Sequence, residues 1–147
     1  MFVDELQTIN IKIYYRKSGH NYEVYSSRVM EKIYGKLSKR TKKLYDQYHE
    51  LNVEMKELNW GDYNDLQEQS VHINEDGEKE FSIKKYKENK LENLIVSWDA
   101  QRKNSNGELV PVEVNKLSLG SLAPEIGEVI LEAYEKEMEI SEDDEKK

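Results

Sequence analysis

The stretch that decides the predicted fold is residues 27–58, SRVMEKIYGKLSKRTKKLYDQYHELNVEMKEL. Its apolar and aromatic residues recur at steps of three and four, which places them on one face of an α-helix. This apolar seam comprises Met30, Tyr34, Leu37, Thr41, Leu44, Tyr48, Leu51, Met55 and Leu58. A helix of this length would span roughly 45–50 Å. The pattern therefore predicts a single long helix on which the rest of the chain packs.

The residues beside the seam distinguish a coiled-coil dimer from a globular packing face. A dimer requires a charge pattern along both flanks, whereas Ile33 and Tyr45 are not charged and instead widen the seam. We therefore expect the seam to be buried within the chain.

The first half of this predicted helix is strongly basic. Residues 28–43, which we call the basic stretch, carry Arg28, Lys32, Lys36, Lys39, Arg40, Lys42 and Lys43, opposed only by Glu31. Positive charge near a helix N-terminus opposes the macrodipole. Two explanations stay open: the basic face binds a partner, or it is a solvated face paired with the chain's own acids.

Two β-hairpins are predicted. Ile9, Ile11, Ile13 and Tyr15 alternate along residues 8–16, and a turn at Ser18-Gly19 would place Tyr15 opposite Tyr22 and Ile13 opposite Val24. Further on, residues 71–83 read VHINEDGEKEFSI. A three-residue loop at 75–77 with Gly77 left-handed would place Val71 opposite Phe81 and Ile73 opposite Lys79.

The remaining segments are predicted to be mostly helical. A short helix through Gln69 follows the break at 59–62, and helical spacing predicts a second helix over 84–99, although LIVSW at 94–98 is also compatible with a strand. Residues 103–107 form a turn and 109–112 are extended. Asn115 caps a short helix, and Pro124 starts the last one. The buried face of that last helix is predicted to hold Ile126, Val129, Ile130, Ala133, Tyr134 and Met138.

These elements predict an α+β fold: three main helices around one long amphipathic helix, with an N-terminal β-hairpin and a second small hairpin. Residues 1–140 would form a single domain, and the acidic tail 141–147 would be disordered.

Composition excludes several functional classes. The chain has 147 residues, a net charge of −8 and no cysteine. The acidic balance argues against general binding to nucleic acid or to anionic membranes. The absence of cysteine excludes disulfides, thiol catalysis and thiolate metal sites. No apolar run reaches the length of a membrane span, so we expect a cytoplasmic protein.

No pattern of residues indicates a reaction. The histidines at 20, 49 and 72 lack partners at metal-chelating spacing, and no phosphate-binding or nucleophile motif is present. We therefore expect a protein without catalytic, cofactor-binding or metal-binding residues. Trp98 has two interpretations: a core residue whose ring N–H reaches a backbone carbonyl, or a partner hot spot.

Residues 91–138 resemble the C-terminal part of small tail assembly chaperones and related tail-morphogenesis proteins of tailed bacteriophages. The shared pattern is an apolar helix ending at Trp98-Asp99, a polar turn with Gly107, then Pro111, a spaced Leu122 and a closing helix over 126–134. The resemblance covers about a third of the chain. It implies a non-enzymatic protein that binds the tape-measure protein, shields its apolar helical segments before the tail tube polymerises, and recruits tube subunits.

The resulting functional hypothesis is protein binding during tail assembly. The predicted partner-binding residues are Tyr34, Arg40, Lys43, Tyr45, Tyr48 and Trp98. One alternative is an acidic inhibitor or decoy of a host nucleic-acid enzyme, which requires carboxylates clustered on one surface. Another is a small structural or oligomerisation protein of the virion, which requires an apolar stripe left uncovered in the monomer.

Overall fold

The computed structural model describes the backbone of residues 7–145 and the side chains of residues 7–140. It confirms a mixed α+β fold, built on an antiparallel four-stranded sheet of order β2-β1-β3-β6 and two separate two-stranded hairpins. In chain order the elements are β1 (Thr8–Ser18), β2 (Asn21–Ser26), α1 (Ser27–Tyr34), α2 (Lys42–Tyr45), β3 (His49–Lys56), α3 (Trp60–Gln69), β4 (Val71–Ile73), β5 (Lys79–Phe81), α4 (Ile83–Leu94), β6 (Ile95–Trp98), β7 (Gln101–Lys103), β8 (Leu109–Pro111), α5 (Lys116–Gly120) and α6 (Pro124–Glu145).

The predicted long helix over 27–58 is wrong. The helix ends at Tyr34, where Gly35 takes φ +85° and donates its N–H to the Glu31 carbonyl. After a loop and the single turn of α2, residues 49–56 form a strand in the interior of the sheet. Leu51 and Met55 fit both a helical seam and a strand, but the strand also buries Val53. Residues 49–56 therefore form a strand paired with β1, although their spacing also fits a helix.

The first hairpin is confirmed, with a different register. The two loop residues are Gly19 and His20, so Tyr15 lies opposite Val24 and Ile13 opposite Ser26. Gly19 has φ +65°, a conformation that favours glycine at the first position of a two-residue loop. The shift relative to the predicted register is two residues, and the apolar side chains therefore stay on the same face.

The predicted helix over 84–99 is correct only for its first part. α4 ends at Leu94, and residues 95–98 form the edge strand β6 against β3. The strand interpretation of LIVSW is thus the correct one for Ile95–Trp98. Apolar residues at consecutive positions fit a helix end and a strand equally well. Residues 95–98 form a strand because they pair with the free side of β3.

The second hairpin is confirmed in its register, with Val71 opposite Phe81 and Ile73 opposite Lys79. A third hairpin, β7–β8, was not predicted, since the sequence indicated only a turn and an extended segment. Both hairpins use the same loop: Asn74 and Asn104 each accept two backbone N–H groups through Oδ1, and Gly77 and Gly107 take φ near +80°.

The main core lies between one face of the sheet and helices α4, α5 and α6. It buries Ile11, Ile13, Leu51, Val53, Met55, Leu91, Leu94, Ile95, Leu119, Ile126, Ile130, Ala133 and Tyr134. The last helix and the capped helix at Asn115 are confirmed. No helix within residues 7–145 combines the length and hydrophobicity of a membrane span.

The predicted disordered tail, 141–147, lies largely outside the described residues, although the α6 backbone extends to Glu145. The single domain over 1–140 stays a prediction.

Candidate functional site

Five tyrosines gather on the face of the sheet opposite the main core. They are Tyr14, Tyr25, Tyr34, Tyr45 and Tyr48, and they surround the fully buried side chain of Met30. We call this group the tyrosine cluster. Met30 and Tyr34 come from α1, Tyr14 from β1 and Tyr45 from α2. The cluster therefore joins the basic stretch to the sheet.

Hydrogen bonds through the phenol groups determine how the cluster holds the chain. The Oη atoms of Tyr34 and Tyr48 lie 2.8 Å apart, within hydrogen-bonding distance. The Tyr45 hydroxyl donates to the Gly35 carbonyl over 2.7 Å. The Tyr14 and Tyr45 rings meet edge to face, with centroids 5.3 Å apart. The end of α1 and the start of the following loop are thus attached to the sheet.

Arg16 closes one side of the cluster. Its guanidinium carbon lies 4.5 Å from the centre of the Tyr48 ring. Its Nε donates to Glu23 over 2.7 Å, and an Nη donates to Gln47 over 2.9 Å. Stacking and ion pairing therefore fix this cation beside the tyrosines.

Residues 35–43, which we call the basic loop, are ordered by their own hydrogen bonds. The Thr41 hydroxyl donates to the Lys36 carbonyl over 2.8 Å and accepts the Ser38 N–H over 2.8 Å. The Lys42 N–H donates to the Ser38 carbonyl over 2.9 Å. The loop backbone is compact, and all its lysine and arginine side chains are exposed.

The basic stretch is largely uncompensated within the described part of the chain. Arg28 forms an ion pair with Glu137. For Lys32, Lys36, Lys39, Arg40, Lys42 and Lys43, no carboxylate among residues 7–140 lies within 4.0 Å of the charged nitrogen atoms. Among the described residues, these six cations are therefore not paired with the chain's own acids, as one of the two explanations required.

The predicted partner-binding residues fall into two places. Tyr34, Tyr45 and Tyr48 belong to the tyrosine cluster, and Arg40 and Lys43 are exposed on or at the end of the basic loop. Trp98 lies elsewhere, on β6. It packs on the main core and donates its ring N–H to the Val112 carbonyl over 2.6 Å. This hydrogen bond to a backbone carbonyl is the one expected if Trp98 is a core residue.

Sequence reasoning missed two members of the cluster, Tyr14 and Tyr25. The available signal was the alternation of β1. Tyr14 is out of phase with Ile13 and Tyr15, so a strand that buries the isoleucines must direct Tyr14 to the other face. Tyr14 is buried on that face because α1 and α2 cover it.

Burial raises the pKa of several tyrosine hydroxyls, including Tyr14, Tyr45 and Tyr48 of the cluster. In the main core, burial raises the pKa of Tyr134 from 10.0 to about 12. These phenols hold their protons more tightly in the folded state than in the unfolded state. At neutral pH they are hydrogen-bond donors and acceptors, not nucleophiles.

Stability is expected to decrease in alkaline solution. The contribution of Tyr134 is fully present below pH 10.0 and is lost as the pH rises through about 12, because the unfolded chain releases the proton first. Urea denaturation across this window should show a falling free energy of unfolding, and the decrease should be shallower in Tyr134→Phe. A constant free energy between the two pH values would contradict this prediction.

Gly35 should be the least replaceable residue of the basic loop. Its φ of +85° and ψ of +171° lie in a region that is essentially restricted to glycine. We expect Gly35→Ala to lower the free energy of unfolding by about 1–3 kcal/mol through backbone strain. Gly127→Ala, in the described helix α6 and with open space around the added carbon, is the control and should be neutral or stabilising. Equal effects in urea denaturation would contradict the argument.

The described residues hold no group of three or more histidine, cysteine or acidic side chains that could bind a metal ion. Comparison of the chain with protein-family models, with characterised proteins and with solved structures finds no match. Among the described residues, the exposed basic loop on its tyrosine support is a candidate site, and its chemistry is that of a surface for anionic groups.

Proposed function

We propose that this is a non-enzymatic binding protein whose basic stretch docks on an acidic segment of a partner protein. The observation that carries the proposal is the hydrogen-bonded loop whose exposed cations have no ion pair among residues 7–140, in a chain of net charge −8. A loop already held by hydrogen bonds loses little conformational entropy on binding. Complementary charge would then steer association and determine specificity.

A protein partner is favoured over nucleic acid by the charge outside the loop. Residues 28–43 carry seven of the 22 lysines and arginines but one of the 30 acids, so the rest of the chain is strongly acidic. That remainder would repel a polyanion longer than the loop itself. A short acidic protein segment meets the loop without extending over the acidic surface.

The proposed setting is phage tail assembly in the cytoplasm of the bacterial host, with tape-measure and tail-tube proteins as partners. Its support is the resemblance over residues 91–138, of which the closing helix over 126–134 lies within α6, whereas the helix expected to end at Trp98-Asp99 ends at Leu94. The seam residues do not form one helical face that could cover a partner helix, because they are divided between α1, α2, β3 and the segments that join them. We therefore propose contact through charge on the basic stretch.

The decoy alternative gains no specific support. It requires a uniformly negative face, and the acids of α6 are instead interleaved with cations: Lys87 pairs with Glu128, Lys90 with Glu135 and Arg28 with Glu137.

Affinity purification of the tagged chain from phage-infected cells, followed by mass spectrometry, tests the proposed function. We expect recovery of a tape-measure protein with tail-tube subunits, reduced when the basic loop is reversed in charge. Recovery of a host polymerase or nuclease, or of no phage protein, would refute the proposed setting. The same experiment with the control variant described in the Discussion separates loss of the loop from a change in net charge.

A further inference from the structure

One edge of β1 is only half covered. β1 extends from Thr8 to Ser18, but its pairing with β2 begins at Ile13, opposite Ser26. At Ser27 the chain turns into α1. Within residues 7–145 no strand lies beside residues 8–12 on this side, and we call that segment the open edge.

The hydrogen-bond register identifies the groups that face the open edge. Ser18 and Asn21 flank the two-residue loop, which makes them a hydrogen-bonded pair, so the even residues of β1 direct their N–H and C=O groups toward β2. The other side of the sheet agrees, because Asn52, opposite Lys12, bonds away from β1 to Asp99. The main-chain groups of Asn10 and Lys12 therefore face the open edge.

A cleft of about 440 Å³ lies along this edge, within the size range of ligand sites. Asn10, Ile11 and Lys12 form its floor, the first turn of α1 forms one wall and α6 the other. The apolar side chains on its walls include Val24, Val29, Val129 and Ala133.

The charge of the cleft selects its occupant. Lys12, Arg28, Lys32 and Lys136 line it, together with Glu132 and Glu137. Arg28 pairs with Glu137, Lys12 with Glu50 and Lys136 with Glu139, so Lys32 is the lining cation without an ion pair among residues 7–140. The N-terminus of α1 adds positive potential on the same wall. Arg28 and Lys32 belong to the basic stretch, so the cleft is continuous with the surface described above. An extended peptide with acidic side chains would bond to the backbone groups, pair with Lys32 and compete with Glu137 for Arg28.

We propose that an extended acidic segment of the partner protein adds to the sheet as a strand along the open edge of β1. This inference rests on the proposed function and specifies its binding mode. The segment exchanges main-chain hydrogen bonds with Asn10 and Lys12. Its alternate side chains point to the valine-lined part of the cleft and to the cations.

The probe is an acetylated and amidated heptapeptide of alternating glutamate and valine, added to the full chain. We expect the amides of Asn10 and Lys12 to exchange quickly in the free protein and at least about tenfold more slowly with bound peptide. The amides of Ile11 and Ile13, which face β3, are the internal reference. Slow exchange at positions 10 and 12 in the free protein would overturn the proposal, since the edge would already be occupied by another segment or a second copy.

Asn10→Pro tests the edge by mutation. Proline removes the N–H that faces the cleft without removing a bond to β3, because Asn10 and Glu54 are a non-hydrogen-bonded pair. We expect it to weaken peptide binding about tenfold or more, the effect of one lost hydrogen bond and the added ring. Asn10→Ala keeps the N–H and should change binding by no more than about twofold.

Two modified peptides remain informative even if Asn10→Pro fails to fold. N-methylation of alternate amides on the bonding side should abolish binding, and exchanging glutamate for lysine should weaken it strongly. If the N-methylated peptide binds unchanged while reversal of the basic loop still abolishes binding, the strand-addition inference fails and the proposed function stands. If neither loop reversal nor the lysine peptide alters binding, the proposed function fails and this inference with it.

Discussion

Val53→Asp is expected to lower the free energy of unfolding by about 5 kcal/mol, a large fraction of the 5–15 kcal/mol typical of a domain. Val53 is 1% exposed in the interior strand β3 and belongs to the main core. The substitution removes a buried apolar side chain and places a carboxylate among the hydrophobic side chains of the main core. Urea denaturation followed by circular dichroism measures the loss.

Leu37→Asp is the matched control, since the helical seam and the observed fold rank the two positions in opposite order. In a helix over 27–58, Leu37 would be buried on the seam and Val53 would lie on the opposite face. In the structure the Leu37 side chain is 54% exposed on the basic loop. We expect its substitution to change the free energy of unfolding by no more than about 0.5 kcal/mol. A larger loss at Leu37 than at Val53 would contradict the strand assignment of residues 49–56.

Reversing three charges of the basic stretch, with Lys39→Glu, Arg40→Glu and Lys43→Glu together, is expected to weaken partner binding about 100-fold. Each exposed reversal replaces an attraction by a repulsion, worth about 1 kcal/mol, and about 1.4 kcal/mol corresponds to a tenfold change. The three residues are exposed and have no ion pair among residues 7–140, so the fold should be preserved. Titration calorimetry against the captured partner measures the change.

The control is the triple variant Lys79→Glu, Lys84→Glu and Lys85→Glu. These lysines are also exposed, and their reversal changes the net charge by the same amount. We expect its affinity to stay within about threefold of the original, because only long-range steering is altered. Rising salt should weaken binding of the unmodified protein and reduce the difference between the two variants. Equal losses for both triple variants would mean that net charge, not the basic stretch, drives association.

The elements that the sequence predicts correctly are those determined by residues close together in the chain. Alternation with a glycine turn specified the first hairpin, and an asparagine followed by a left-handed glycine specified the second. A capping asparagine specified α5, and a proline start with a wide apolar face specified α6. In each of these cases the hydrogen bonds that define the element lie within it.

The segments for which the sequence predicts the wrong element share a different feature. Residues 49–56 and 95–98 each contain apolar residues that fit two periodicities at once, and only a partner strand distant in sequence distinguishes them. The sequence likewise predicts only part of the candidate site. Residues 28–43 were identified by composition, whereas the tyrosine cluster beneath them and the open edge beside them depend on how α1 packs on the sheet.

The sequence by itself thus determined the α+β class, the presence of the first two hairpins, the capped helices, and the concentration of positive charge in one stretch of an acidic chain. Tertiary structure alone decided that residues 49–56 are a sheet strand, which faces of β1 are covered, and that its open edge lies beside the basic stretch. The physical reason is that strand pairing satisfies backbone groups between distant segments, and helical periodicity carries no information on where those segments meet.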